Sequence, residues 1–478
     1  MQKGLKNSIS LANETARDSL AYKSFLKKHK INLPISTQED FLKLPITDKK
    51  TYIQKNRLAH LTVSGNLPSV IYASSGSSGK PTFWAKGLSQ EKIGAQIHED
   101  IFSKIFHFKK AEPTLVIICF SMGVWVAGGF TLASCKELSR QGYNISCITP
   151  GIEKTDIFFA FEHLAKEFKN VVLAGYPPFV MDIILECRKK NIDLPKNLKI
   201  LTAGDKFSEG FRTKLAEFAE IKNYAGIISL YGSADVGPMG FETPLSIFLR
   251  REAEKNSALR QMLFENSPEL PAFLQFDPEK IYFESVNGEL ILTADAGIPL
   301  VRYNIHDQGK IFDFEKIKTI LKDLKLTENA KQHGLNEWQL PFVVKTGRTD
   351  VAVNFYALNI LPEQINASLK EKQISKYLNG NYFAYHKMVK NHAQEELGLI
   401  LETKTKTRPQ KSLVKKAQAS IVKTLSSLSL EFRKLHQTIG KRALPKIKFI
   451  QPGNLAKYSK LQHMGLLNIQ GKKPKIVL

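Results

Sequence analysis

Residues 74–82 read SSGSSGKPT, with four serines, two glycines, one lysine and one threonine in nine positions. Hydroxyl groups and the backbone N–H groups that glycine leaves accessible can surround an anion, and Lys80 adds a mobile positive charge. Ser74, Ser75, Gly76, Ser77, Ser78, Gly79 and Thr82 thus have the make-up of a phosphate-binding loop. The run is not a Walker A loop, which needs four residues between its first glycine and GK and then Ser or Thr; here two residues separate Gly76 from Gly79, and Pro81 follows Lys80. A flexible surface loop of small residues has the same composition, so the run taken alone leaves both readings open.

Other chemistries lack their patterns. No GxSxG occurs, and His306 beside Asp307 is a neighbour in sequence rather than part of a triad. His98 and His107, in IHEDIFSKIFH, miss the HExxH spacing and read as helix-surface or core histidines. Cys119, Cys135, Cys147 and Cys187 form no CxxC pair and have no histidine cluster nearby. Neither a zinc site nor a disulfide framework is expected, and a reducing cytoplasm is.

The elements that must position such groups are legible in outline. At 478 residues the chain is long enough for two or three domains of about 150 residues each. Residues 1–65 read as helical and polar. From there SVIYAS, TLVIICF, NVVLAGY, LKILTAG and GIISLYG recur as strands between helical patterns, which predicts a parallel or mixed sheet covered by helices. Several end in small residues (Ser74, Gly175, Gly204, Gly232), and open α/β sheets bind ligands at such carboxyl ends. Residues 113–135 hold no charge and are long enough to span a bilayer, yet they split at SMG into a short strand and a helix that runs into polar sequence; no membrane span is expected. Beyond a polar linker around QHGLNEWQLPF, DVAVNFY, PEQINASLKEKQISKYL, LGLILETK, a basic helix at 409–437 and KIKFIQ predict a small α+β domain. The boundary is placed between 345 and 346.

Net charge is +24, and residues 347–478 carry 24 Lys and Arg against 7 Asp and Glu. That excess favours an anionic partner, such as a phosphorylated cofactor, an acidic carrier protein, an anionic membrane or nucleic acid, and it is equally the pattern of a solvated basic face. No nucleic-acid motif and no interleaving of aromatic with basic residues occurs in the tail, so nucleic acid is not expected.

With its neighbours considered, the loop resembles the SSGTTGKPT segment of the adenylate-forming (AMP-forming) ligase superfamily, in particular the phenylacetate–CoA ligase-like branch. FLKLPITDK near the start also fits, and four further segments follow in the family's order. LYGSADVGPMGFE resembles YGxSE, GELILTADAGIPLVRYNIHDQG resembles GELVxT…PLIRYxTGD, KTGRTDVAVNFYALNILPEQI resembles GRxDDxIxxxGxNVxPxxIE, and PGNLAKYSKLQH weakly resembles the closing segment with GKxxR. The resemblance implies a large N-terminal domain of mixed sheets covered by helices and a small mobile α+β C-terminal domain. It also implies that the loop holds the phosphates of ATP, that Tyr231 stacks on adenine, and that Gly232 lets backbone approach the ring, with Ser233 in the same nucleotide segment. Asp235, where the family has Glu, would hold Mg²⁺ through a shorter arm. Asp307 would accept hydrogen bonds from both ribose hydroxyls, although an Asp here also suits a plain turn. Arg348 falls near the family's hinge or is a surface arginine. Lys460 matches the late catalytic lysine with a one-residue gap, and Lys457 and Lys472 compete for that role. Tyr176, Phe179, Ala203 and Gly204 occupy places that resemble the acid-pocket and adenine-side segments, and they also suit core packing.

The implied reaction makes an acyl-adenylate from a small carboxylic acid and ATP with release of pyrophosphate, then passes the acyl group to a thiol, coenzyme A first. Departures from the pattern bear on the second step: Val351 replaces an acid, Ala357 a glycine beside the thiol channel, and Asn366 a Glu. Transfer to a carrier protein, amine or hydroxyl, or a relative that has lost turnover and binds anionic partners, stays open beside coenzyme A.

Overall fold

The computed structural model describes residues 1–74, 82–265, 267, 270–348, 353–356, 358–389, 394–405, 411–455, 465–468 and 475–477. It divides into two compact units, one made of Met1–Ser74 with Phe83–Arg348 and one that takes in Thr82 and the described residues after Arg348.

The first unit is organised by β1 (Thr47–Asp48), β2 (Val70–Ser74), β3 (Thr82–Lys86), β4 (Thr114–Cys119), β5 (Ile145–Ile148), β6 (Asn170–Gly175), β7 (Leu198–Ala203) and β8 (Ile227–Ser233). It continues with β9 (Gly237–Phe241), β10 (Ala272–Gln275), β11 (Tyr282–Val286), β12 (Glu289–Asp295), β13 (Pro299–Phe312) and β14 (Phe342–Arg348). Among the described residues all of these but β2 and β3 form a mixed sheet in the order β11-β12-β13-β14-β10-β9-β8-β7-β6-β4-β5, with β1 paired to β13. The half from β5 to β8 is parallel. Every residue of TLVIIC and NVVLAG in that half is buried, as a sheet covered on both faces requires. One core lies between the sheet and helices such as Leu88–Glu99 and Val126–Arg140; another packs the N-terminal helices Gln2–Asp18 and Leu20–Lys28 against the β11–β13 end. The uncharged run at 113–135 is thus strand followed by helix, and among the described residues no helix is long and apolar enough to cross a membrane.

Two local expectations need correction here. SVIYAS does form a strand, but β2 pairs with β3 as a separate two-stranded sheet instead of joining the large one. Its pattern is half-exposed, with Ile71 in solvent, unlike the wholly buried central strands. The basic helix expected at 409–437 is two helices, Lys411–Leu428 and Leu430–Ile439. They part at Ser429, whose extended backbone and hydroxyl cap the second helix by accepting from the Phe432 N–H at 3.1 Å.

The second unit holds a small hairpin, β15 (Val353–Phe355) with β16 (Leu358–Ile360), and a sheet of β17 (Leu378–Val389), β18 (Gln394–Thr403), β19 (Lys446–Ile450), β20 (Gly465–Asn468) and β21 (Lys475–Val477). The sheet order is β19-β18-β17-β20-β21. Its core is formed by Phe355, Ile365, Tyr382, Leu399, Ile421 and their neighbours. Strand β17 was missed in the sequence because Asn379, Asn381, His386 and Lys387 interrupt its apolar pattern, while pairing on both sides still buries Tyr382, Phe383 and Ala384.

Candidate functional site

The parallel strands deliver four of the expected residues to one end of the sheet. Register pairs Gly175 of β6 with Thr202 of β7, and Ala203 of β7 with Leu230 of β8. Tyr176, just past β6, is buried and starts the helix Pro177–Lys190, whose first turn carries half-buried Phe179. Half-buried Ala203 ends β7, and Gly204 follows, exposed, at φ 100°. Tyr231 and Gly232 lie on the adjacent strand at the same end.

At that end three strands converge on one carboxylate. Asp307 of β13 is 1% exposed and stands opposite Arg348 of β14 in the antiparallel register. Its Oδ1 lies 3.3 Å from an Arg348 guanidinium nitrogen and 3.7 Å from Lys345 Nζ, and its Oδ2 accepts the Tyr231 O–H at 2.5 Å. In the sheet, β9, β10 and β14 lie between β8 and β13, so this last bond requires the sheet to curl and bring its strands face to face. Local backbone helps to aim the carboxylate: His306 sits at φ 63°, stabilised by its N–H donating to Asn304 Oδ1 at 2.7 Å, and the β13–β14 register slips between Gln308 and Gly309. A left-handed non-glycine residue costs about 1–3 kcal/mol and persists only where its surroundings enforce it. The Tyr231 ring is 7% exposed and stacks on Phe283 at 6.3 Å between centroids. Burial, followed by the Asp307 charge, drives the Tyr231 phenol far above its ordinary value, so it remains a donor.

A second carboxylate sits in the β8–β9 connection. Asp235 Oδ2 accepts the Tyr303 O–H at 2.6 Å, and burial with the Asp235 charge keeps that phenol protonated as well. Ser233 Oγ accepts the Val236 N–H at 3.2 Å and shapes the turn. Gly232 belongs to a bulge there, and a Cβ on it would press within 2.9 Å of the Gly237 carbonyl oxygen. Below the turn, Lys86 donates to the Asp235 carbonyl at 2.7 Å and the Ala296 carbonyl at 2.8 Å; burial lowers its ammonium to about 7 against the pull of Asp235 and Asp295. Ser74, at the end of β2, accepts from Lys49 Nζ at 2.8 Å and from the Trp84 indole at 2.9 Å, and Thr82 is buried at the start of β3.

Tyr231, Asp307 and Arg348 are therefore in direct contact. Tyr176, Phe179, Ala203 and Gly204 share their end of the sheet, and Asp235 is in the adjoining turn. Ser75, Gly76, Ser77, Ser78, Gly79 and Lys80 lie outside the described residues, as do Lys457, Lys460, Lys472, Val351 and Ala357. Sequence reasoning missed Lys49, Tyr303 and Lys345 as partners, although each stands inside a quoted segment (PITDK, PLVRY and KTGR). Lys86 had no motif to mark it. A cavity of about 840 Å³ is lined by Phe241, Phe276, Lys280 and Trp338 among others, with neither Asp235 nor Asp307 in its lining.

Asp235 suits a magnesium ion bound mostly through substrate. Among the described residues only the Tyr303 hydroxyl hydrogen-bonds its half-buried carboxylate, and no group of three or more His, Cys, Asp or Glu is assembled to hold a metal. Mg²⁺ commonly takes one or two carboxylates plus phosphates and waters.

No family model matches the chain, and no curated protein matches it in sequence. Solved structures do. The chain is similar to 2-hydroxyisobutyryl-CoA ligase in complex with 2-HIB-AMP and CoA in the thioesterification state, at 15% identity and a TM-score of 0.63 over 96% of this chain and 88% of that one. An open conformation of the same ligase gives 14% identity and a TM-score of 0.53 over 94% and 87%. Likeness at this identity defines the fold, which is that of the adenylate-forming enzymes.

Proposed function

We propose that the protein activates a small carboxylic acid with ATP, releasing pyrophosphate, and then transfers the acyl group from the adenylate to an acceptor, with coenzyme A as the first candidate. The observation that carries this reading is the Tyr231–Asp307–Arg348 constellation at the carboxyl end of β8, within an adenylate-forming fold. A buried carboxylate with one phenol and two cations around it is held rigidly, and it can take the paired hydroxyls of a ribose in place of protein donors. Tyr231 would fix the adenine side, while Ser74, Thr82 and the loop with Lys80 would take the phosphates. Tyr176, Phe179, Ala203 and Gly204 would border the acid, which favours an aromatic or apolar substrate.

In this reading the substrate carboxylate attacks the α-phosphorus in line, the new P–O bond forms as the bond to pyrophosphate breaks, and lysines offset charge on the phosphates. Lys460 would bridge the carboxylate and the α-phosphate during that step. Bound Mg²⁺ supplies charge neutralisation on the triphosphate, and Asp235 is the side chain here that would hold it. Arg348, the last residue of the first unit, would mark the hinge at which the basic unit changes its role between adenylation and transfer. The large positive excess beyond residue 347 supports an anionic acceptor such as coenzyme A or an acidic carrier protein. Ala357 and Asn366 depart from the thiol-forming pattern and favour, as the second reading, delivery to an amine, a hydroxyl or a protein thiol.

The test is acid-dependent ATP–pyrophosphate exchange over a panel of aryl, arylacetic, fatty and amino acids, beside Lys80→Ala. Exchange that depends on one acid class and falls in the variant supports the proposal. Folded protein that exchanges with none of them refutes it for those classes.

A further inference from the structure

Strand β3 sends Trp84 and Lys86 into the interior on the same side, and both are fully enclosed. A buried ammonium is unfavourable unless its protons are taken up. Here two backbone carbonyls take them, from connections far apart in the chain: Asp235 between β8 and β9, and Ala296 between β12 and β13. The junction has no slack, since Gly297 sits at φ +84° and a Cβ there would collide with the carbonyl of Ala85, next to Lys86. If this position only filled space, an apolar side chain of the same length would do so without desolvating a charge.

The contacts continue beyond Lys86. The carboxylate of the same Asp235 accepts from Tyr303, the Tyr303 ring meets Trp84 edge-on at 6.4 Å, and the Trp84 indole donates to Ser74, where the Ser/Gly loop begins. One strand therefore fixes the entrance of that loop with residue 84 and the acidic turn with residue 86. We propose that Lys86 is a positioning residue, which ties the Asp235 backbone to the β12–β13 turn and thereby aims the Asp235 carboxylate at the metal-bound triphosphate. The proposal rests on the adenylation reading for what Asp235 holds; the tie itself is a property of the fold.

The test is a double-mutant cycle of Lys86→Met and Asp235→Asn, read as binding of preformed Mn²⁺–ATP in the absence of acid, from the change in its electron paramagnetic resonance spectrum as protein is added. No turnover is needed, so protein that binds Mn²⁺ with ATP yet exchanges pyrophosphate with no acid would sink the adenylation reading while the cycle still reports on Lys86. Removing a residue that orients a metal ligand weakens the metal about 10–100-fold. Lys86→Met is expected to do so by at least about tenfold with Asp235 present, and by less than about twofold in Asp235→Asn. Equal weakening in both backgrounds, or a lower melting temperature with unchanged Mn²⁺ binding, overturns the proposal. Should Lys86→Met fail to fold, Lys86→Gln, which is smaller and keeps N–H donors without the charge, takes its place in the cycle: a loss confined to the Asp235 background supports the tie, and equal loss in both backgrounds overturns it.

Discussion

Replacing Asp307 by Asn removes one charge while keeping nearly the same shape, and it separates the two duties assigned to this residue. At an effective dielectric near 20, a unit charge pair 3.3 Å apart interacts by about 5 kcal/mol, and one 3.7 Å apart by slightly less. These are gross values. The Arg348 and Lys345 side chains are 22% and 27% exposed, so water takes over much of their solvation once the carboxylate is gone. The usual penalty of about 3–5 kcal/mol for breaking a buried pair is therefore reduced to about 2–3 kcal/mol. At roughly 2 °C per kcal/mol for a unit of this size, Asp307→Asn is expected to lower the melting temperature by about 4–6 °C. In the proposed role, two charge-assisted hydrogen bonds to a ribose, at about 1.5 kcal/mol each, would amount to about 3 kcal/mol, a rise of about 100-fold in the KM for ATP. The assay is pyrophosphate exchange with ATP titrated at saturating acid, 10 °C or more below the melting temperature of the variant. Tyr231→Phe serves as the control, since it removes one donor to Asp307 and leaves the carboxylate in place. A lower melting temperature with an unchanged KM for ATP would refute a nucleotide role for Asp307 and leave it as a structural ion pair.

Three further outcomes follow from the contacts. Arg212 is fully buried between Glu209 at 2.8 Å and Glu242 at 2.7 Å and also donates to the Ile227 carbonyl, so Arg212→Met, which strands part of that charge, is expected to destabilise by about 3–5 kcal/mol in chemical denaturation; a loss under about 1 kcal/mol would show that Arg250, with Arg251 on Glu209, suffices to neutralise both acids. Burial raises the Glu402 carboxyl, but hydrogen bonds from Asn379 and Asn381, each 2.7 Å to Oε2, outweigh it and hold the group below its ordinary 4.5. Its stabilisation is then complete above pH 4.5 and disappears as pH falls through the lower folded value, so the acid limb of the melting curve should flatten in Glu402→Gln, and an unaltered limb would exclude this source. Tyr303→Phe, which removes the hydrogen bond to Asp235, is expected to raise the Mg²⁺ concentration for half-maximal exchange about tenfold with little change in the KM for the acid; equal changes in both would point to a general loss of structure.

The parts of the molecule that were legible in sequence share a local cause. TLVIICF and NVVLAGY read as buried strands because a parallel strand covered on both faces has no polar position to fill, and the break at SMG separated strand from helix for the same local reason. Strand β17 was hidden because its burial comes from partners on both sides and not from its own alternation. The basic helix looked continuous because Ser429 is unremarkable until its backbone turns extended and its hydroxyl becomes a cap.

The site divides along the same line. Residue types and spacing alone determined that the chain carries a Ser/Gly/Lys run, an alternating α/β pattern whose strands end in small residues, and a strongly basic last quarter. Which acid meets which base was decided only in three dimensions. Asp307 and Arg348 are brought opposite each other by antiparallel register, Tyr231 reaches Asp307 because the sheet curls past three intervening strands, and Lys86 gains its two acceptors from turns that lie 149 and 210 positions farther along the chain. Backbone pairing fixes such encounters, and a carbonyl acceptor has no side-chain identity, so no local pattern of residue types could have announced that lysine.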